Sequence, residues 1–564
     1  MFEALGRAVR ALRTTEGWIL AFSAASLAVG STWGLPGGDS WAADAISPRS
    51  CGLGAIVETY WPGHFHTYPP LQMLLLSVLS LPWMALAAAR VGLHVDALGL
   101  ELIKPLYMTG IEATARAATG AMALGVVWHT MRYWTRVAGR RVGCCAGLVV
   151  SCDGAFVYYA HTGNLDVPCL FWIVLTMVQA QRVLEGERRE LALWLCASAA
   201  VLTKDYAAGA LVACVPLATL VAVARSPRSP ASGPGRAVHV RRFAVGALAA
   251  AASFLVVSGA LVNPTGYGRR IAFLFGPASQ TWTPYPPGLR GALALAGDAA
   301  RAIPHFGSWP LAAAALAGVG IALASRTRDR VVLTLPLIAA VSFAVLFDLG
   351  ARRSEDRFLM PQAVLLFPYA ALAFERAWSW RPAVAALGAV VGLAPALLGV
   401  ASMDATLVRD PRYGAESFLA ALPAGTRVEV YGGPVFLPRI PSTLVASRPG
   451  VEPIADRQRI DGVAEIVDPA MDPRPRDPDV IVLSTELSSE AVTEPPSHPL
   501  PVATIGYHDA ASHRLLRGLY DGSLGYDRVG AFRCAVPWPL ACRTVHDSTG
   551  GEVWVYARAH RSRS

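Results

Sequence analysis

The sequence predicts a polytopic α-helical membrane protein of roughly 11–13 spans carrying a small C-terminal extracytoplasmic α/β domain. Three observations lead there. Hydrophobic residues make up 54% of the 564 residues and charged ones only 16%, against about 25% charged in a soluble globular domain; the mean hydropathy is +0.41. Apolar stretches recur through the first 400 or so positions, each near the roughly 20 residues that cross a bilayer. The basic residues, which give a net charge of +9, gather in short connectors between those stretches. That is the positive-inside pattern of membrane proteins and not a nucleic-acid-binding surface.

Candidate spans cover residues 17–35, 70–90, 110–131, 142–160, 165–182, 190–203, 206–224, 242–262, 308–324, 331–349, 358–375 and 382–403. The N-terminal "MFEALGRAVRALRTTEG" has no small-residue cleavage site clearly following the first span, so that span reads as an uncleaved anchor. The connectors 132–141, 181–190, 225–242, 325–330 and 375–381 are rich in arginine and face the cytoplasm by the charge rule. The first loop 36–68, the segments around 161–167 and 204–206, the loop 263–307, the connector 348–356 and everything after about 404 then lie on the opposite side. Parity leaves segment 70–109 starting and ending outside, either as a re-entrant or interfacial element or as a hairpin kinked near Pro82. The linker "RSPRSPASGPGR" has a flexible composition. The domain division is thus 1–403 for the membrane part and 404–564 for the C-terminal part, where "TRVEVYG" (426–432), "DVIVLST" (479–485) and "EVWVYAR" (552–558) read as strands and "RYGAESFLAAL" (412–422) as an amphipathic helix.

Nine cysteines are present. Cys144, Cys145, Cys152, Cys169, Cys196 and Cys214 fall in apolar spans as small packing residues. Cys534 and Cys542 are close enough in sequence for a local disulfide outside the cytoplasm. No Cys/His spacing points to zinc.

Polar residues that such a membrane part does not need gather in four outer segments. In "LPGGDSWAADAISPRS", Asp39 and Asp44 follow the first span. Asp39 is placed either to cap a short helix or to act as a general base at a cavity mouth, and the two roles are compatible. In "YWPGHFHTYPPLQMLLL", His64, His66 and Tyr68 precede a double proline; His-x-His alone is a weak metal signal. In "YYAHTGNLDVPCLFW", His161 and Asp166 stand at a turn between spans, where Asp166 suits a helix cap. Asp153, within the preceding span, is an ionisable group at membrane depth and belongs in a protein interior or a wet cavity. In "FDLGARRSEDRFLMPQAVLL", Arg352, Arg353 and Arg357 crowd an outer connector where arginine is unexpected. Either they pair with Glu355 and Asp356, or they meet an anion through their forked donors. The stretch "VLTKDYAAGA" adds Lys204, one of only two lysines in the chain beside Lys104. Adjacent residues on a helix do not face each other, so Lys204 and Asp205 are poorly placed to pair.

In this order, "GGDSWAAD", "TYPPLQMLLL", "YYAHTGNLDVP", "LTKDYAAG" and "RFLMPQAVLLFPYA" resemble the GT-C superfamily of membrane glycosyltransferases. The similarity is greatest to the family-39-like branch that includes protein mannosyltransferases and aminoarabinose transferases, and it spreads over about residues 17–400. It implies a polyprenyl-phosphate-linked sugar donor, an acceptor hydroxyl and inversion at the sugar, on the outer face of a bacterial inner membrane with the N-terminus cytoplasmic. It implies that Asp39 is the base. Ser40 stands where the family usually has a second acid, which leaves Asp44 as a rival. It gives Lys204 the donor phosphate, with Arg352, Arg353 and Arg357 as helpers, and places His66, Tyr68, His161 and Asp166 in the substrate cavity. It assigns no metal ligands or cofactor and leaves a divalent cation open. The acceptor is a protein, a lipid or a cell-wall glycan. The alternative readings are a transporter or lipid flippase, which needs paired ionisable groups near mid-membrane and often an internal repeat, and a non-catalytic membrane scaffold.

Overall fold

The computed structural model describes residues 14–37, 41–42, 45, 53–225, 236–276, 283–326, 330–450, 460, 462–484, 510–545, 549 and 551–559. The chain forms two compact units. One comprises residues 1–31, 50–82 and 113–401; the other comprises 32–49, 83–112 and 402–564.

The first unit is helical, and the chain is a multi-pass membrane protein. Among the described residues six helices are long and apolar enough to cross a bilayer, or up to nine if each bent helix pair is one span. The six include Asp166–Leu184, Ala207–Arg225, Arg236–Val257, Arg330–Ala351 and Asp356–Trp380. Some expected spans are shorter than a bilayer. Thr15–Ala28 and Glu190–Thr203 each have 14 residues, less than the roughly 20 that a straight crossing needs. The sixth candidate begins at Pro382. Its first helix runs on to Val408, so the domain boundary expected at 403/404 falls inside a helix.

Two breaks are informative. The expected kink near Pro82 lies at Ser80, between helices Leu71–Leu79 and Leu81–Val91. Proline is tolerated in the first turn of a helix, where its missing N–H is no loss; Pro82 is the second residue of the second helix. The expected span 142–160 is two helices, Arg140–Ser151 and Gly154–His161, bent by 62°. Asp153 sits at that bend and caps the second helix, its Oδ1 accepting the Phe156 N–H at 2.9 Å. The buried acid thus has a local backbone role. Close packing elsewhere depends on small residues: a Cβ on Gly318 would stand 1.9 Å from the Tyr369 carbonyl oxygen.

The second unit contains a six-stranded sheet: β1 Arg427–Tyr431, β2 Val445–Gly450, β3 Val463–Val467, β4 Val480–Ser484, β5 Tyr526–Phe532 and β6 Val553–Arg558, in the order β3-β2-β1-β4-β6-β5. β3, β2, β1 and β4 run parallel; β6 is antiparallel to β4, and β5 to β6. β1, β4 and β6 are the three strands expected from sequence, and the helix expected at 412–422 is Pro411–Ala420. Val428, Val430, Val480, Val482, Val553 and Val555 pack with Ala415 and Leu419 of that helix. On the other face, Ile481, Leu483 and Tyr556 pack with Leu515, Leu516 and Leu519 of helix Ala510–Tyr520. Cys534 and Cys542 form a disulfide with Cα atoms 6.1 Å apart.

Arginines hold several of this unit's carboxyls ionised. The hydrogen bond from Arg474 keeps Asp472 below the usual carboxylate range. At Asp468 burial acts upward, but Arg476 and the Ala470 and Asp472 backbone N–H groups together outweigh it, and the net direction is again down. A carboxyl whose folded-state pKa is depressed stabilises the fold above its unfolded value of about 3.9 and loses that contribution as pH falls through the folded value. The unfolding temperature of this domain in the full chain is therefore expected to hold constant from neutral pH down to about pH 5 and to drop below about pH 4. Differential scanning fluorimetry across that range, with Arg474→Gln showing a shallower acid limb, checks it.

Candidate functional site

The polar centre of the membrane unit is built on Asp166. Asp166 begins helix Asp166–Leu184, but its side chain does not cap that helix. Asn164 takes the local work: its Oδ1 accepts the Asp166 backbone N–H at 3.0 Å, and its Nδ2 donates to Asp166 Oδ2 at 3.0 Å. The other carboxylate oxygen, Oδ1, accepts from Lys204 Nζ at 2.6 Å and from the Tyr206 hydroxyl at 2.8 Å. Asp166 is 1% exposed and Lys204 8%. A charge this deeply buried is stable only when paired and hydrogen-bonded, and here three side chains donate to one carboxylate.

The break between helices Glu190–Thr203 and Ala207–Arg225 delivers Lys204. Its backbone is extended, φ −155° and ψ 128°, so its side chain and that of Asp205 diverge, as successive side chains do in extended chain. Lys204 turns to Asp166. Asp205 turns to Arg270 in helix Pro264–Phe275, forming an ion pair, and Arg270 Nε also donates to the Thr67 carbonyl at 3.3 Å.

Aromatic rings surround the ammonium. Lys204 Nζ lies 4.9 Å from the Tyr206 ring centroid, 5.8 Å from that of Tyr68 and 5.8 Å from that of Phe358. The Phe358 ring is shared by two more cations: Arg357 at 4.8 Å and Arg353 at 5.9 Å. Three of the expected phosphate-binding residues therefore meet at one aromatic side chain, whose ring face attracts cations electrostatically. Partial burial lowers the pKa of the Arg353 guanidinium from its ordinary value. Arg357 also pairs with Glu355 at 2.6 Å, one of the pairings considered from sequence, whereas Asp356 stands 2.8 Å from His305 Nδ1.

The other expected residues are placed differently. Arg352 ends helix Leu349–Ala351 in a left-handed conformation, φ 54°, and its Nη1 donates to the Tyr285 carbonyl at 3.1 Å; it does not join the Phe358 ring. His161 is buried with Nδ1 2.7 Å from the Val157 carbonyl oxygen and Nε2 2.5 Å from that of Val29. That arrangement ties the end of the first helix to Gly154–His161. His66 accepts the Tyr68 N–H at its Nδ1, 3.2 Å away, and its Nε2 stands 3.6 Å from Glu58; it shapes the turn that presents Tyr68. Among the described residues no three His, Cys, Asp or Glu side chains gather as metal ligands. Asp39 and Asp44 lie outside the described residues.

Sequence reasoning passed over Asn164, Tyr206 and Phe358, although each stands within the quoted stretches that hold their partners. It also missed Asn263. Buried at 2% exposure, Asn263 donates through Nδ2 to the Trp61 and His64 carbonyls at 2.9 and 2.8 Å and accepts the Gly266 N–H at 2.9 Å. The one signal was "NPTG", an asparagine before a proline, which is a helix-start pattern.

No family model matches the chain, and no curated protein matches it in sequence. Solved structures do. ArnT from Cupriavidus metallidurans, determined bound to undecaprenyl phosphate, is similar over 96% of this chain and 98% of its own at 15% identity and a TM-score of 0.47. The archaeal oligosaccharyltransferase AglB from Archaeoglobus fulgidus, in complex with an inhibitory peptide and a dolichol-phosphate, is similar over 83% of this chain and 70% of its own, at 12% identity and 0.43. The arabinofuranosyltransferase AftD from Mycobacteria is similar over 96% of this chain and 40% of its own, at 14% identity and 0.41.

Proposed function

We propose that this chain is a GT-C-type glycosyltransferase that moves a sugar from a polyprenyl-phosphate-linked donor to an acceptor hydroxyl on the outer face of the bacterial inner membrane, with inversion at the sugar. The observation that carries the reading is the meeting of Lys204, Arg353 and Arg357 around Phe358, with Asp166 buried beneath the lysine. A lipid phosphate diester bears one negative charge and gains a second when its bond to the sugar breaks. Preorganised cations in a site short of water stabilise that growing charge more than they stabilise the ground state. Arginine supplies forked donors and lysine a compact point charge. Apolar helices around the cluster suit the polyprenyl chain.

In this mechanism the acceptor oxygen attacks the anomeric carbon as the carbon–oxygen bond to phosphate breaks. The bonding pair leaves with the phosphate oxygen, and the acceptor's proton passes to a carboxylate of the first loop, Asp39 or its rival Asp44. No water has to be placed between two carboxylates, as an inverting hydrolase requires. His66 and Tyr68 shape the donor side of the cavity, with the Tyr68 ring beside Lys204.

The test is a panel of undecaprenyl-phosphate-linked hexoses and pentoses presented to the full chain in liposomes. Glycan and lipid mass spectrometry of a deletion strain indicates which acceptor to supply. The expected result is release of undecaprenyl phosphate matched by sugar on the acceptor with inverted anomeric configuration. Labelled sugar or lipid crossing the vesicle membrane with its phosphate bond intact establishes a transporter instead.

A further inference from the structure

The segment on either side of Asp39 is gripped by the C-terminal domain. Trp33 is 1% exposed and its Nε1 donates to Asp410 Oδ2 at 2.8 Å. Asp410 is itself fully engaged. Its Oδ1 accepts from the Arg412 backbone N–H at 2.9 Å and from Arg412 Nε at 2.8 Å, and its Oδ2 also accepts from Arg412 Nη2 at 2.6 Å. The Arg412 guanidinium lies 5.3 Å from the Trp33 ring centroid and 4.2 Å from that of Trp41. The Gly34 N–H donates to the Tyr413 hydroxyl at 3.0 Å, and Arg439 Nη1 donates to the Pro36 carbonyl at 2.8 Å. Trp41 packs against Tyr413 with ring centroids 5.0 Å apart, and Arg439 lies 5.2 Å from the Trp41 ring. Gly34 has φ +72°, and a Cβ there would stand 2.8 Å from the Trp41 ring. The chain reverses at a residue that must be glycine, and Trp41 folds back over it.

These contacts are not the domain's core, which surrounds the sheet. They fall on Trp33, Gly34, Pro36 and Trp41, and in the sequence Asp39 stands two positions before Trp41. A fixed cation between two tryptophans and a saturated buried carboxylate form a rigid mount. A general base needs such rigidity, because a displacement of about 1 Å in a catalytic group can cost about a hundredfold in rate.

We propose that Asp410, Arg412, Tyr413 and Arg439 are positioning residues: the C-terminal domain holds the first outer loop and so sets its carboxylate against the acceptor hydroxyl. This rests on the reading of Asp39 as base. The domain is then a working part of the transferase and not an appended module.

Tyr413→Phe and Arg439→Ala test it in the full chain in nanodiscs. Both side chains touch the loop from partly exposed positions, so the domain is expected to fold. Hydrogen exchange of the peptide spanning residues 32–42 is expected to quicken about tenfold, matching the loss of one hydrogen bond. The turnover number, measured with the sugar lipid identified in the liposome assay, is expected to fall about 10- to 100-fold. Affinity for undecaprenyl phosphate stays at the wild-type value in both variants, and the unfolding temperature does so in Tyr413→Phe; Arg439→Ala also loses its ion pair with Glu416, so the Tyr413 variant decides between positioning and a general loss of stability. Arg439→Lys, which keeps the charge and a donor for the Pro36 carbonyl, restores part of the rate. Unchanged exchange overturns the proposal, as does faster exchange with an intact turnover number. Asp39→Asn run in parallel keeps the two ideas separate: full activity there rejects the base assignment, whatever the exchange data show.

Discussion

Asp166→Ala is expected to destabilise the membrane unit by about 3–5 kcal/mol, the cost of stranding one member of a buried ion pair. The ammonium of Lys204 loses its carboxylate at 2.6 Å and keeps only aromatic faces, which contribute about 2 kcal/mol when desolvated. The two halves of the pair are not equivalent. Lys204→Met removes one donor from Asp166 but leaves those of Tyr206 and Asn164, so its cost is smaller. The double variant Asp166→Leu, Lys204→Met replaces both charges by apolar groups of similar size and is expected to recover most of the stability lost in the single Asp166 variant. Denaturation of the purified full chain in mixed micelles gives all three values. A loss below about 1 kcal/mol for Asp166→Ala would show that the pair is not a structural keystone, since that is what exposed pairs contribute. The same double variant isolates function. If Lys204 holds the donor phosphate, a folded protein lacking it should bind undecaprenyl phosphate about 10- to 100-fold more weakly, the value of one hydrogen bond to a charged group.

The ion pair also shows what the sequence could reveal and what it could not. The oddity of a lysine in an arginine-using chain drew attention to the right residue; Asp205 is not its partner, but because the backbone there is extended, not because the two stand on one helix. The actual partner is 38 positions away, and choosing it required the extended backbone at Lys204, a conformation with no local signature in "TKDY". Phe358 was hidden for a different reason. A phenylalanine in an apolar helix looks like lipid-facing or core packing, and only three converging cations give its ring a role. In the C-terminal domain, β1, β4 and β6 were legible because they are short runs of β-branched and aromatic residues. β2 reads "VASRPG", with a proline and a glycine that disfavour strands; pairing on both sides, with β1 and β3, holds it in place. β5 carries an irregularity between Arg528 and Gly530, which broke its alternation. The helix break at Asp153 was equally hidden, because hydropathy runs straight through it.

Asp39→Asn is expected to lower the turnover number about 10²- to 10⁴-fold, the usual contribution of a general base, with donor affinity unchanged. The side chain keeps its size and one carbonyl oxygen while the proton acceptor is lost. The donor contributes a phosphate that leaves without protonation, so the one proton to be moved is the acceptor's. The whole defect should therefore appear in the chemical step and not in binding. Three measurements on the full chain decide the assignment: undecaprenyl phosphate affinity, release of that lipid in the presence of acceptor, and thermal stability. An active, normally folded Asp39→Asn protein removes Asp39 from the mechanism. If Asp44→Asn then shows the loss, the base belongs to Asp44, which follows Trp41 by three positions in the sequence. If both variants turn over normally, the acceptor hydroxyl is attacking without a carboxylate base. The cations around Phe358 would then have to supply the whole barrier reduction by stabilising the departing phosphate, which predicts a rate that tracks the removal of Arg353 and Arg357 and ignores the first loop altogether.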